Sequence, residues 1–452
     1  MKDRTEIFEK YPIAKAVWTL ALPTMIGMLV TVIYNLADTF FVGKTNDVNM
    51  VAAVSITMPI FMILMAIGTV FGIGGGTYIS RMLGTKNYKR VKEISSFSFY
   101  AQIIIGIVCI ILGLIFMPQL LKISGADKNT YEHAKNYLFY VAIFAPAIIL
   151  SFSLGQITRA EGAAKEAMFG MMIGTVLNII LDPIFIINLK MGVAGAALAT
   201  GISNLVSVIY YCLFFMKKNS YVSILPKDFY IDFDMLKSIL SIGFPAALNS
   251  ILMSTSVVIY NNYAVKYGTD FLAALGVISR INMLPVLLLI GLAQGVQPLV
   301  AYNFSAKNIE RMKAVLKYTI ISGTIIATTF AVILFFTGGE AVRAFINQDN
   351  VVNLGKMVER RNVLSIPILA VLFTLMSAFQ AFGEGTPSLI LSISRQGLVF
   401  IPFVIIANKL WGMNGLIYAQ PVADILSTCL ALFLLAYSLR KHKDEIAELE
   451  AV

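Results

Sequence analysis

The chain has 452 residues, of which 58% are hydrophobic and 13% charged, and its formal net charge is +10 at pH 7. Soluble domains carry roughly 25% charged residues, so the composition excludes a soluble domain and indicates a polytopic membrane protein. The basic excess does not make it a nucleic-acid binder, because loop lysines facing a negatively charged leaflet account for it.

Apolar runs of spanning length recur from end to end. Twelve spans are expected, at 13–40, 51–77, 95–117, 136–158, 167–187 and 192–216, then 237–265, 271–299, 315–336, 357–380, 388–408 and 414–438. The chain opens on the charged segment Met1 to Lys10 rather than a cleavable leader, so the first span is expected to be retained. The first two spans of each half are long for a crossing of about 20 residues, so they should tilt, bend or protrude. Pro23 and Pro245 supply bends in the first and seventh. With the N-terminus inside, roughly twice as many Lys and Arg fall on inner segments as on outer ones. Both termini are therefore expected in the cytoplasm of a bacterial inner (plasma) membrane protein.

The chain repeats itself. Gly84-Thr85-Lys86-Asn87-Tyr88-Lys89-Arg90 returns as Ser305-Ala306-Lys307-Asn308-Ile309-Glu310-Arg311, Arg159 to Gly162 returns as Gln380 to Gly383, and Gly192 to Gly195 returns as Gly412 to Gly415. Three matches in order at nearly one spacing imply duplication. An even number of spans per copy gives both copies one orientation, related by an axis along the membrane normal, with a cavity between them. The expected division is an N-terminal lobe over 1–216, a cytoplasmic linker over 217–236 and a C-terminal lobe over 237–452.

The chemistry centres on Leu177 to Ile186. Asp182 lies inside a spanning run, Asn178 shares its helix face, and Pro183 disturbs the helix beside it. An ionised carboxylate at such depth is costly unless it faces protein, a wet cavity or a partner. Asp38 and Thr200 fall in the same outer layer by residue count, so Asp38, Asn178, Asp182 and Thr200 form a candidate cation or proton site. Two close carboxylates cannot easily both ionise, so the pair can hold a proton, or an oxygen-coordinated Na⁺ at Asp38 and Asp182. Tyr34 and Asn35 share the Asp38 face, and Tyr34 could offer a cation–π surface or simply pack. In the second half, Arg280 and Asp424 are buried at similar depth with opposite sign, which suggests a structural ion pair or a substrate-facing role. Arg395 is expected to snorkel toward headgroups. Asn282 and Met283 could line the cavity or belong to the core.

Other chemistries find no support. Cys109, Cys212 and Cys429 form no close pair, and His133 and His442 lie outside the spans, so no disulfide framework, zinc site or intramembrane enzyme centre is indicated. Gly72, Gly74, Gly75 and Gly76 have no following Gly-Lys-Ser/Thr, so they suit close helix packing rather than phosphate binding. With no nucleotide site, a pump would have to draw on an ion gradient.

Five segments together resemble the multidrug and toxic compound extrusion (MATE) transporters: Ala37 to Lys44, Arg159 to Gly162, Asn178 to Pro183, Gly192 to Thr200, and Gln294 to Asn303. With Gly76 to Arg81, they look most like the bacterial branch that holds a staphylococcal multidrug exporter. The resemblance implies an all-α fold of two six-helix lobes around a V-shaped cavity. It implies efflux of amphipathic organic cations such as dyes, quaternary ammonium compounds and some antibiotics, in exchange for H⁺ or Na⁺, without a cofactor and by a monomer. Asp38, Asn178, Asp182 and Thr200 then look like the N-lobe cation site. The second half lacks a Glu near Asn249 to Tyr260, which departs from the Na⁺-coupled branch and favours H⁺. A flippase for lipids or lipid-linked sugars, of the same superfamily, is the alternative. It would need cationic groups in the cavity, where Arg280 is the one deep candidate.

Overall fold

The structure, a computed structural model, describes residues 5–43, 47–217 and 220–450; the side chains of 34–36, 38–40, 42–43, 48, 439 and 441–450 lie outside that description. Among the described residues all regular structure is helical. The first half comprises α1 (Glu6–Glu9), α2 (Ile13–Gly43), α3 (Val48–Gly84), α4 (Tyr88–Ile115), α5 (Met117–Ile123), α6 (Tyr131–Ile143), α7 (Ala145–Ala160), α8 (Ala164–Asp182) and α9 (Val193–Phe215). The second comprises α10 (Phe233–Ala264), α11 (Thr269–Ser305), α12 (Ile309–Phe345), α13 (Asp349–Asn362), α14 (Ile366–Phe382), α15 (Gly385–Ile393), α16 (Phe400–Trp411) and α17 (Met413–Glu450).

Ten of the helical segments are long and apolar enough to cross a membrane, and two bent pairs bring the spans to twelve. The bends refine the spans expected over 136–158 and 357–380. The first is α6 and α7, meeting at 56°, and the second is α13 and α14, meeting at 50°. Pro146 and Pro367 occupy the first turns of α7 and α14. Proline supplies no N–H, which costs nothing in a first turn where that donor has no intrahelical acceptor, so each proline suits the start of the second segment of its pair.

The duplication is visible atom by atom. Lys86 and Lys307 both adopt a left-handed φ of 58°. In the next residue, Asn87 accepts a hydrogen bond from the Arg90 N–H at 3.1 Å, and Asn308 accepts one from the Arg311 N–H at 3.2 Å. These caps start α4 and α12 at equivalent places.

The halves meet through α2 against α11 and α3 against α10. The contact is close because glycines face backbone there. A methyl group on Gly295 would lie 2.6 Å from the Ala21 Cα, and one on Gly291 would lie 2.9 Å from the Met25 Cα. A methyl group on Gly74 would collide with the Ile239 carbonyl, and one on Gly243 with the Val70 carbonyl. All four contacts lie toward the end that carries the N-terminus, here called the proximal end. Along α10, Ile239 to Ala247 is mostly buried, whereas Ser250 to Val258 is exposed on most faces and buries only Ser256. The helices lose their neighbours toward the distal end, so the halves are closed proximally and part distally.

At the proximal end each half begins with a strap that docks on the other half. The α1 strap stacks Phe8 on Tyr302 at 4.9 Å. Arg311 donates through Nε to the Phe8 carbonyl at 2.7 Å and through Nη2 to the Tyr11 carbonyl at 2.6 Å. The segment before α10 mirrors this on the first half. Tyr100 donates to the Ile224 carbonyl at 3.0 Å, Ser96 to the Leu225 carbonyl at 2.9 Å, and Arg90 pairs with Asp232. Glu161 accepts from the Tyr221 N–H at 2.9 Å. The Arg90 guanidinium holds the Asp232 carboxyl below the usual carboxylate range.

Candidate functional site

In α8, Ala167, Gly170, Gly174, Asn178 and Asp182 recur at three- and four-residue spacing and form its buried stripe. The small residues let α9 approach. Ser207 donates to the Gly170 carbonyl at 3.0 Å, and Tyr211 donates to the Ala167 carbonyl at 2.8 Å. Small residues at such a seam let helix backbones come close in a membrane. With the two helices in contact, Thr200 on α9 reaches Asn178 on α8.

The site that results is a hydrogen-bonded chain in the distal part of the first half. Asp182 is fully buried, and Asn178 and Thr200 nearly so. With its amide turned to pair both ends, Asn178 donates through Nδ2 to Asp182 Oδ2 at 3.0 Å. Its oxygen accepts from the Thr200 N–H at 3.0 Å and from the Thr200 hydroxyl at 3.3 Å. Asp182 is the last α-helical residue, and Pro183 opens a π-helical turn over Pro183–Asn188. The looser turn follows from the missing proline donor, and π turns often mark functional positions. α2 packs along α8 and touches this turn. Asn178, Asp182 and Thr200 thus come together as the sequence implied. The side chains of Asp38, Tyr34 and Asn35 lie outside the described residues.

The second half differs from expectation. Asp424 does not pair with Arg280. It accepts from Arg395 Nε at 2.9 Å, from Gln420 Nε2 at 2.9 Å and from the Ser365 hydroxyl at 3.4 Å. Arg280 is exposed. Arg395 does not snorkel outward either: its side chain is 8% exposed, and its guanidinium lies 5.0 Å from the centre of the Phe373 ring. It lies in a second π-helical turn, Ser394–Leu398, which interrupts the α-helical facing and places Arg395 toward α17. Depth counted in residues could not show that turn.

A further buried acid escaped the sequence reading. Glu359 on α13 is fully buried, and Asn282 Nδ2 donates to its Oε2 at 3.0 Å. Asn282 is therefore engaged inside the second half, while its neighbour Met283 is exposed at 37%. The signal was present: Val351, Gly355 and Glu359 follow at four-residue spacing on the buried face of a short amphipathic helix. It lies near the start of the span expected over 357–380, beside Arg360 and Arg361, and was not singled out there.

Comparison with known proteins adds decisive information. The family described as MatE matches residues 23–184 and 245–406, once in each half. The multidrug export protein MepA of Staphylococcus aureus (strain MSSA476) is 39% identical over 441 residues, 97% of both chains. This chain belongs to the MatE family. MepA of Staphylococcus saprophyticus is 36% identical over the same length and share. Among solved structures, a MATE in the straight conformation superposes with TM-score 0.92 at 26% identity, covering 98% of this chain and 99% of that one. An outward-facing multidrug resistance MATE family transporter of the MOP superfamily superposes with TM-score 0.90 at 26% identity, covering 98% of both. Within the MatE matches, the first repeat contains Asn178 and Asp182, and the second contains Glu359 and Arg395.

Proposed function

We propose that this MatE protein is a secondary active exporter of amphipathic organic cations, driven by entry of H⁺ or Na⁺ through the Asn178, Asp182 and Thr200 cluster together with Asp38. The observation that carries the reading is the fully buried Asp182, joined through Asn178 to Thr200 at a π-helical turn beside α2. Intramembrane acids of this kind mark ion pathways. An acidic site favours a cationic rather than an anionic substrate, which sets a lipid pyrophosphate flippase aside. The family relatives named as multidrug exporters support the same class of substrate.

The protein is read as a monomer. Both termini are read as cytoplasmic, because basic residues concentrate on the proximal side. The distal opening then faces outward. Residues 1–216 and 237–452 act as the two moving lobes, and 217–236 joins them. Drug and ion compete: the unloaded acids favour the cation, and a bound proton or Na⁺ removes the charge that holds it. Linkage requires each to weaken the other by the same factor. Ethidium efflux from vesicles, with ΔpH and ΔNa⁺ imposed separately, tests the reading. Transport driven by one of the two gradients supports it, and ethidium retention under both gradients removes it.

A further inference from the structure

The first-half cluster leaves Glu359 unexplained. This carboxylate lies where the spanning pair α13 and α14 is broken, one turn before the break. Its surroundings are built around it. A methyl group on Gly338 of α12 would lie 2.8 Å from Glu359 Cγ, so the missing side chain there makes room for the acid. Val342, Val351 and Val358 form fully or nearly fully buried apolar packing on the same elements.

Among the described residues, no basic side chain on the packed elements pairs with it. On α13 itself, Lys356 lies against Gly339, Arg360 stacks over Phe335 at 5.2 Å, and Arg361 donates to Asn414 at 2.6 Å and stacks over Tyr418. From α12, Arg343 pairs with Asp349, and Glu340 is exposed. From α17, Asp424 is taken by Arg395. From α11, Arg280 is exposed, and Asn282 presents its amide. Three buried oxygens are left without a donor: Glu359 Oε1, Asn282 Oδ1 and Asn362 Oδ1. Asn362 lies one turn from Glu359 on the same helix. A buried acceptor without a partner is costly, and a bound cation relieves that cost. Na⁺ can take all three oxygens as ligands, whereas a proton on Glu359 occupies its own oxygen and donates to one of the two amide oxygens. Broken membrane helices are where such ions bind.

We propose that the second half holds its own site for a small monovalent cation, H⁺ or Na⁺, formed by Glu359 with the amide oxygens of Asn282 and Asn362. It is separate from the Asp182 cluster, and the protein therefore binds one cation in each half. The proposal rests on the antiport reading only for its physiological use, because cation binding can be measured without drug.

The experiment counts cations on the purified full-length protein. Radioactive sodium in equilibrium dialysis, against choline at matched ionic strength, counts Na⁺. Potentiometric titration between about pH 5 and about pH 9 counts protons, a window that ordinary carboxylates do not reach. Wild type should bind two cations, and Glu359→Gln and Asp182→Asn should each lose one. Loss of a sodium ion identifies Na⁺, and loss of a proton without sodium binding identifies H⁺. A Glu359→Gln protein that binds as many of both as wild type overturns the proposal. If instead Asp182→Asn is silent and Glu359→Gln loses one, the first-half reading fails and this one stands. Should Glu359→Gln not fold, Asn282→Ala keeps the acid and removes its partner. Second-half affinity should then fall roughly tenfold or more, and unchanged affinity overturns the site.

Discussion

Three residues, Asp182 and the pair Arg395 and Asp424, decide most of what can be tested at the smallest scale. Asp182→Asn keeps a hydrogen-bonding group of the same shape beside Asn178 but cannot carry a charge or cycle a proton. The variant should reach the membrane at near-normal levels and lose most of its efflux; normal efflux at equal expression would remove Asp182 from the mechanism. Asp424 and Arg395 form a buried ion pair within the second half. Neutralising one strands the other in an apolar setting and should cost about 3–5 kcal/mol of stability. Replacing both, as Arg395→Met with Asp424→Leu, should recover much of the lost expression and thermal stability, and a double variant that is additively worse would refute the coupling. The first-half cluster was legible because Asn178 and Asp182 sit four residues apart and a helix fixes what that means. The Asp424 partner was not, because a π-helical turn changes which way Arg395 faces without changing how deep it lies.

Among the helices, the contacts that close the proximal end are backbone against backbone. Gly243 faces the Val70 carbonyl, with the Val70 Cα 2.8 Å from where a Cβ would stand. Neither neighbour can rotate away as a side chain would. Gly243→Ala should therefore push α3 and α10 apart, at a cost of about 1–3 kcal/mol to the closed arrangement. Spin labels on the exposed, symmetry-related Lys92 and Lys313 would read this as a longer distance in electron–electron resonance. An unchanged distance distribution would show that the interface has slack. The number and order of spans were legible from apolar run length alone. The two bends were not read, because a run broken by one proline keeps its hydropathy and prolines also lie inside the unbroken α2, α3, α10, α11 and α17. Glycine clustering in α3 was read as close packing, and its partners appear only in three dimensions: α7 for Gly72 and Gly76, α4 for Gly75 and α10 for Gly74.

For the molecule as a whole, the repeated segments revealed the duplication, but not that each half reaches across to hold the other. The Arg90–Asp232 pair gives that hold a pH dependence. Its carboxyl is depressed by Arg90, so the contribution is complete above the unfolded value of about 3.9 and is lost as the pH falls through the folded value. Amide exchange at Tyr221 to Ile224, corrected for intrinsic rate, should accelerate only in acid below about pH 4. In Asp232→Asn, which keeps a side-chain acceptor for the Asp234 N–H at the start of α10, it should already be fast at neutral pH. Equal protection in both proteins would show that the ion pair does not hold the strap.

The crossed straps also set an order of biogenesis. Phe8 leaves the ribosome early, yet Arg311, which donates to its carbonyl, is 303 residues further on, so the first strap must wait for much of the second half to be synthesised and inserted. An isolated first half would display an empty dock for the second strap, and could not seat its own. Two fragments made by cutting between Lys218 and Asn219 should nonetheless find each other when co-expressed, since each carries the strap that the other receives. Deleting residues 1–11 from one fragment, or 220–231 from the other, should reduce recovery of the reassembled pair by affinity pull-down. Undiminished recovery would mean that the straps follow assembly rather than guide it. In the intact chain the same exchange makes completion of the second half the condition on which the first is finished, a proofreading step written into the order of translation.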